Sequence, residues 1–139
     1  MADFSLPKFL GVNLVTPRGV LAHEDTDTLV APGEQGEFEL LPGHLPMLTM
    51  LRPGVLVIGR KHTYAVSSGY LRIDAANLVE ILVEQAVAGS EVDTAAATAE
   101  LKAAEADLAK WGDKPTDGEW VTLQQNLQWA RAKLAAASA

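Results

Sequence analysis

The chain has 139 residues, no cysteine and a formal net charge of −7. At this length a single domain with an appendage, or two small units, buries roughly two thirds of the unfolded surface, so a core forms without staples. The missing cysteine excludes disulfides, thiolate metal sites and thiol nucleophiles and fits a reducing compartment. Ten acids against six bases in residues 1–90, and eight against five in residues 91–139, leave no basic patch for nucleic acid or anionic lipid. Proteins are the expected partners.

The first eight residues, Met1-Ala2-Asp3-Phe4-Ser5-Leu6-Pro7-Lys8, lack the basic start and apolar run of a signal peptide and the Arg-rich character of a transit peptide. No run approaches the roughly 18 apolar residues that span a bilayer. The longest apolar core, Val55-Leu56-Val57-Ile58, is strand-sized. The expectation is a soluble protein that stays where it is made, without direct membrane insertion.

Short strands are predicted up to Gly89-Ser90. Leu10 to Thr16 is closed by Pro17-Arg18-Gly19, where proline pre-sets a turn and glycine completes it. Val20 to His23 and Thr28 to Ala31 follow, the latter closed by Pro32-Gly33. Glu37-Phe38-Glu39-Leu40 alternates charged and apolar side chains as a half-buried strand does. Val55 to Arg60, Thr63 to Ser67, Tyr70 to Ile73 and Leu78 to Val83 complete the set, with hairpin turns expected at Gly19, Gly54 and Gly69. Many short strands at regular spacing indicate an antiparallel sandwich or barrel.

After Ser90 the period becomes helical. Ala97, Leu101, Ala104, Leu108 and Trp111 form a heptad seam, with Asp93 or Thr94 as N-cap and a break at Gly112-Asp113-Lys114-Pro115. Thr116 and Glu119 fit a capping box for a second helix, whose seam is Trp120, Leu123, Leu127, Ala130 and Leu134. The fold class is therefore mainly β plus α: an antiparallel β-sandwich or barrel in residues 1–89, then an antiparallel two-helix hairpin in residues 90–139. Trp129 lies off the seam. Its face packs on the sandwich, awaits a partner, or carries one tolerated exposed aromatic.

Chemistry is sparse. His23, His44 and His62 fall in separate turns or strand ends, with no partner at metal-site spacing, so no metal is expected. Ser67-Ser68-Gly69 sits between two strands rather than at a strand-to-helix nucleophile turn. No glycine pattern makes a phosphate loop. The acidic clusters Glu24-Asp25-Asp27 and Glu34-Glu37-Glu39 lie in turn-rich settings that keep carboxylates solvated, which suits a docking rim better than acid–base work. No catalytic residue and no cofactor are expected.

The stretch from Val30 to Thr49, with Gly33-Glu34-Gln35-Gly36-Glu37 and Pro42-Gly43-His44-Leu45-Pro46-Met47-Leu48-Thr49, resembles the signature of the epsilon subunits of F-type ATP synthases, a family that includes the mitochondrial delta subunit. Leu51-Arg52-Pro53-Gly54-Val55-Leu56-Val57-Ile58 continues the match. Val66-Ser67-Ser68-Gly69-Tyr70-Leu71 resembles a third family turn, with Ser68 in place of its usual first glycine. Taken alone, Pro42, Gly43 and Pro46 fix an irregular backbone that reads equally as a docking surface or as a loop tucked on its own core.

The resemblance implies a flattened antiparallel β-sandwich followed by the helical hairpin, and a non-catalytic rotor subunit at the cytoplasmic face of a bacterial inner membrane, peripheral to it, turning with the c-ring. It implies that Glu34, Gln35, Gly36 and Glu37 contact the c-ring and that His44, Leu45, Pro46, Met47 and Leu48 lie against the gamma subunit. In the family the hairpin also extends along gamma and engages the catalytic alpha and beta subunits through basic residues. Here the last helix offers only Arg131 and Lys133, so the expectation is that inhibition of ATP hydrolysis is weak or relies on apolar contacts such as Trp129. Some relatives bind ATP on the hairpin. This chain keeps Asp93 of that motif but has Ala96 where the arginine stands, so nucleotide binding is expected to be weak or absent. A stand-alone β-sandwich binding module with a helical dimerisation hairpin is the competing expectation. All three tryptophans lie in the helices, which disfavours a sugar-stacking groove, and a small enzyme lacks its constellation.

Overall fold

The computed structural model describes residues 7–139, so the expectation drawn from the extreme N-terminus lies almost wholly outside the described residues. Ten strands come first: β1 (Leu10–Thr16), β2 (Gly19–Thr26), β3 (Leu29–Gly33), β4 (Gly36–Leu40), β5 (Met47–Leu51), β6 (Gly54–Ile58), β7 (His62–Val66), β8 (Gly69–Ile73), β9 (Leu78–Val83) and β10 (Ala86–Ala88). A single 3₁₀ turn at Gly89–Glu91 leads into α1 (Thr94–Ala109) and α2 (Gly118–Ser138).

The strands run in the order β10-β7-β6-β3-β5-β8-β9-β1-β2, with β4 paired to β3. β3 is the corner. Its Leu29 and Val30 pair with β6, while its last residue, Gly33, pairs with Leu51 of β5. The sheet thereby folds over one core that draws Leu10, Val12 and Leu14 from β1, Leu56 and Ile58 from β6, Leu71 and Ile73 from β8, and Val79 and Ile81 from β9. Every pairing is antiparallel except β1 with β9, which is parallel. The inward and outward residues alternate along these strands, as the pleat requires.

Two strands escaped the sequence reading. Met47–Leu51 looks irregular because Leu48 and Met50, both apolar, point outward and break the alternation. Ala86–Ala88 is a three-residue edge strand on β7, too short for a period. The expected Val55–Arg60 strand stops at Ile58, and Arg60 turns with φ +61.

Gly54 and Gly69 do not close hairpins, since β5 does not pair with β6 nor β7 with β8. They are close-approach points. A Cβ on Gly54 would lie 2.5 Å from Pro32 Cβ, and one on Gly69 would lie 2.0 Å from the Leu82 carbonyl oxygen. Gly19 does close the β1–β2 hairpin, at φ +119.

In the hairpin, Asp93 caps α1 by accepting the Ala96 N–H at 3.0 Å. The cap of α2 is Asp117 rather than Thr116. Its carboxylate accepts from Glu119 N–H and Trp120 N–H, one residue later than the expected capping box. Ala97 and Ala104 are buried on one seam and Leu127 and Ala130 on the other, so the small residues bring the helices together.

Trp129 uses a different face of α2. Ala132 and Ala136 are buried with Ala65 of β7, and Trp129, Val55 and Val87 pack around them. Val55, Ala65 and Val87 are cross-strand neighbours on β6, β7 and β10, so they form one continuous seat for α2.

Candidate docking surfaces

The pairing of Gly33 with Gly36 leaves Glu34 and Gln35 as the two-residue turn between β3 and β4. Gly36 has φ +136, a region that other residues enter only with strain. Glu34 N–H donates to Met50 O at 3.0 Å and Arg52 N–H to Pro32 O at 3.0 Å, which fastens the turn to β5. Glu34, Gln35 and Glu37 are exposed, and neither carboxylate enters an ion pair among the described residues. Met47 and Thr49 of β5 share a shallow cleft with this turn.

α2 seats on β6, β7 and β10 and reaches the outer face of β5-β8-β9-β1-β2 only at its margin, where Gln125 lines a cleft with Val15, Met50, Tyr70 and Leu82. Register places Met50 beside Tyr70, Tyr70 beside Leu82, Leu82 beside Val15, and Val15 beside Val20. An apolar row therefore crosses five strands, with Met50 at 53% and Val20 at 63% exposure. The parallel row next to it is polar apart from Leu48. It runs Leu48, Arg72, Glu80, Asn13, His23, with Arg72 paired to Glu80 at 2.9 Å. Single exposed apolar residues are ordinary on a protein surface, whereas a contiguous apolar row across five strands is a candidate docking surface. Sequence reasoning missed it because the row is contiguous only in register.

The segment His44–Leu48 does not act as one unit. Pro42 and Gly43 occupy the centre of a turn closed by His44 N–H donating to Leu41 O at 3.2 Å, with Gly43 at φ +93, as a proline-glycine turn requires. His44 Nδ1 lies 2.7 Å from Leu45 O, so the imidazole is turned onto its own backbone. Leu45 and Pro46 are exposed, Leu45 at 77%. Met47 packs inward against the core, and Leu48 points outward beside Arg72.

Asn77 was also missed. It is 2% exposed, has φ +62, and reaches this turn from the far end of β8. A lone Asn before a strand carries no sequence signal of burial.

The three hairpin residues likewise divide. Trp129 and Lys133 line a cleft between hairpin and sandwich together with Asp93, Ala96 and Glu100. Arg131 lies on another side of α2, in a groove with Arg52 and Gln128, 3.9 Å from Glu105. The Asp93 carboxylate in the cleft serves as the α1 cap, and Ala96 contributes only its backbone N–H to that bond.

The three histidines remain apart. His23 hydrogen-bonds Asn13, His62 lies 3.0 Å from Glu24, and His44 is local. Among the described residues no group of three or more histidines or carboxylates is placed to hold a metal. Ser67 Oγ accepts from Gln85 N–H at 2.9 Å, a turn contact. Among the described residues no helix is long and apolar enough to cross a membrane.

Residues 9–89 match the family model described as the β-sandwich domain of the ATP synthase delta/epsilon chain. The chain belongs to that family. The Magnetococcus marinus ATP synthase epsilon chain is 36% identical over 90% of this chain and 91% of its own length. The corresponding protein of Geobacter metallireducens is 38% identical over 90% and 91%. Among solved structures, a chain in the Euglena gracilis mitochondrial ATP synthase assembly of OSCP, F1 and c-ring superposes with TM-score 0.80 at 22% identity, covering 100% of this chain and 87% of its own. A chain of the Tetrahymena thermophila central stalk and c-ring gives 0.62 at 20% identity, covering 94% and 97%. At such identities these two matches speak for the fold, helical hairpin included. The family's β-sandwich model ends at residue 89, where the strand pattern gives way to helix.

Proposed function

We propose that the chain is a non-catalytic central-stalk subunit of an F-type ATP synthase, carried at the cytoplasmic face of a bacterial inner membrane as a peripheral component. It couples rotation of the c-ring to the catalytic head by being gripped from two sides. The observation that carries this reading is the open apolar row Met50, Tyr70, Leu82, Val15, Val20 beside the acidic turn at Glu34–Glu37. An apolar face suits a permanent, desolvated contact, here assigned to gamma with Leu45 and Leu48 at its edge. Exposed, unpaired carboxylates suit charge-assisted hydrogen bonds to the polar loops of a c-ring, here through Glu34, Gln35 and Glu37. Transmitting torque needs both grips, because a rotor part held on one side only would slip.

Family membership and the epsilon-chain names of its relatives support this assignment over a stand-alone module. So does the hairpin. One face of α2 is used on α1 and another on the sandwich, which leaves no apolar seam for dimerisation. The same occupancy supports a weak regulatory role, since Trp129 and Lys133 are already engaged within the chain. ATP binding at the hairpin cleft is proposed to be absent, because Ala96 supplies no guanidinium and Asp93 is occupied as a cap.

The test is affinity capture from source membranes solubilised in mild detergent, with identification of co-purifying chains. Recovery of gamma, c-ring and catalytic subunits is expected. Recovery of the chain alone, or with unrelated proteins, overturns the assignment.

A further inference from the structure

Every polar group of Asn77 is used. Its backbone N–H donates to Asp74 O at 3.1 Å, and its carbonyl accepts Gly11 N–H at 3.0 Å. Its side-chain oxygen accepts Gly43 N–H at 2.6 Å, and its side-chain amide donates to His44 O at 3.2 Å. The residue thus belongs to the β8–β9 turn by its backbone and to the β4–β5 turn by its side chain, across 34 positions of sequence. Asp74 fixes the first of these turns, its carboxylate accepting Ala76 N–H at 2.9 Å and Leu78 N–H at 3.0 Å.

The Pro42–Pro46 stretch has little else to hold it. Leu41, Leu45 and Pro46 are exposed, and among the described residues the only other backbone bond closing the turn is His44 N–H to Leu41 O. A carboxamide is suited to this work, since it offers one acceptor and one donor a fixed distance apart to a neighbouring N–H and C=O. Burial removes competing water, so each bond keeps its strength and an unmade one is expensive. The positive φ narrows the choice further, because asparagine is among the few side chains that enter that region readily.

We infer that Asn77 is a positioning residue for docking: it fixes the Gly43–His44 turn so that Leu45 is presented, and β5 enters with Leu48 facing outward, in one geometry. This rests on the docking role proposed above for His44–Leu48. Asn77 itself touches no partner, being buried. Its contribution to binding is to remove the ordering cost of the loop before contact is made.

The experiment compares the full chain with N77G, N77D and L48D. Glycine keeps the positive φ and deletes the clamp, whereas aspartate keeps the acceptor for Gly43 N–H and loses the donor to His44 O. Two readouts are taken: hydrogen exchange of the Gly43 amide in the isolated chain, and affinity for the ATP synthase F1 sector stripped of this subunit. N77G is expected to speed Gly43 exchange and weaken binding by roughly tenfold, since two lost hydrogen bonds of ordinary net strength amount to a factor of that order. N77D is expected to keep Gly43 exchange near the parent's, because its carboxylate still accepts that N–H, yet to lose at least as much affinity as N77G, because the buried carboxylate faces the His44 carbonyl oxygen without a donor; a purely structural role would move the two readouts together. Unchanged affinity for N77G beside a weakened L48D overturns the positioning role and leaves the docking reading standing. Unchanged affinity for both overturns the docking reading, and the positioning role with it.

Discussion

The Lys133 ammonium lies 5.4 Å from the centroid of the Trp129 indole, one helical turn away on α2, and also pairs with Glu100 of α1. One cation thereby touches the aromatic that seats α2 on the sandwich and the helix that α2 pairs with. The indole supplies most of the energy, because it packs on the buried cluster of Ala65, Ala132 and Ala136 beside Val87, whereas the Glu100 partner of the cation is half-exposed. Replacing Trp129 by alanine is expected to loosen α2 by about 2 kcal/mol, below the cost of a fully buried tryptophan because the ring is half-buried. Lys133→Gln is expected to cost under about 1 kcal/mol, the scale of a partly exposed cation–π contact or ion pair. Exchange of α2 amides measures both. A larger effect for Lys133→Gln than for Trp129→Ala would mean that the cation, not the indole, holds the helix.

Two glycines separate the stability of the sandwich from that of helix docking. Gly69→Ala drives its methyl to within 2.0 Å of the Leu82 carbonyl oxygen, between β8 and β9 in the core layer. Neither strand can retreat alone, so a global loss of about 2–3 kcal/mol is expected, read from the urea midpoint. Gly89→Ala places its methyl 2.3 Å from Ala136 O, near the C-terminal end of α2. The helix can move where a strand cannot. Faster exchange in α2 with the sandwich protected is the expected result, and uniform loss across the chain would contradict it.

Much of this architecture is legible in the sequence, for identifiable reasons. The seams Ala97–Ala104 and Leu127–Ala130 are read from period alone because two helices in contact need little context. Strands β1 and β9 alternate or run apolar and are read almost to the residue. The reading failed where a residue answers to a distant neighbour. Gly54 and Gly69 look like turn residues, yet they exist to admit Pro32 and Leu82. Met50, Tyr70, Leu82, Val15 and Val20 are scattered in sequence and adjacent only through strand register, including one parallel pairing that short-range signals do not encode. The acidic turn was read correctly as an exposed turn because it is local: two glycines flank two polar residues.

Tyr64 gives the fold an alkaline edge. Burial, and then the nearby Glu24 and Glu91 carboxylates, push its phenol above the ordinary value of 10.0. A raised value means that the folded state favours the protonated phenol. Its contribution is complete below the unfolded value and is lost as pH climbs through the folded one. The parent is therefore expected to lose stability above about pH 10, the usual tyrosine range, more steeply than Tyr64→Phe, which has no proton to lose. Denaturation midpoints of the two proteins across that window decide it. Parallel curves would show that the phenol is not involved.

The two proposed grips differ in chemistry, so they should answer differently to salt. Leu48→Asp and Met50→Asp put a charge into the apolar face, and affinity for the stripped F1 sector is expected to fall by one to two orders of magnitude, about 1.4–2.8 kcal/mol. That loss should persist at high salt, because the cost is desolvation of the new carboxylate rather than long-range repulsion. Glu37→Gln leaves that face intact and removes one exposed charge from the β3–β4 turn. On the proposed c-ring grip its effect is expected to be about 1 kcal/mol or less at low salt, shrinking as the screening length drops from about 10 Å at 0.1 M to about 3 Å at 1 M. Retention on purified c-ring measures it. A salt-insensitive Glu37→Gln loss would place that carboxylate in a desolvated pocket, and a salt-sensitive Leu48→Asp loss would move the apolar contact to the rim of its interface.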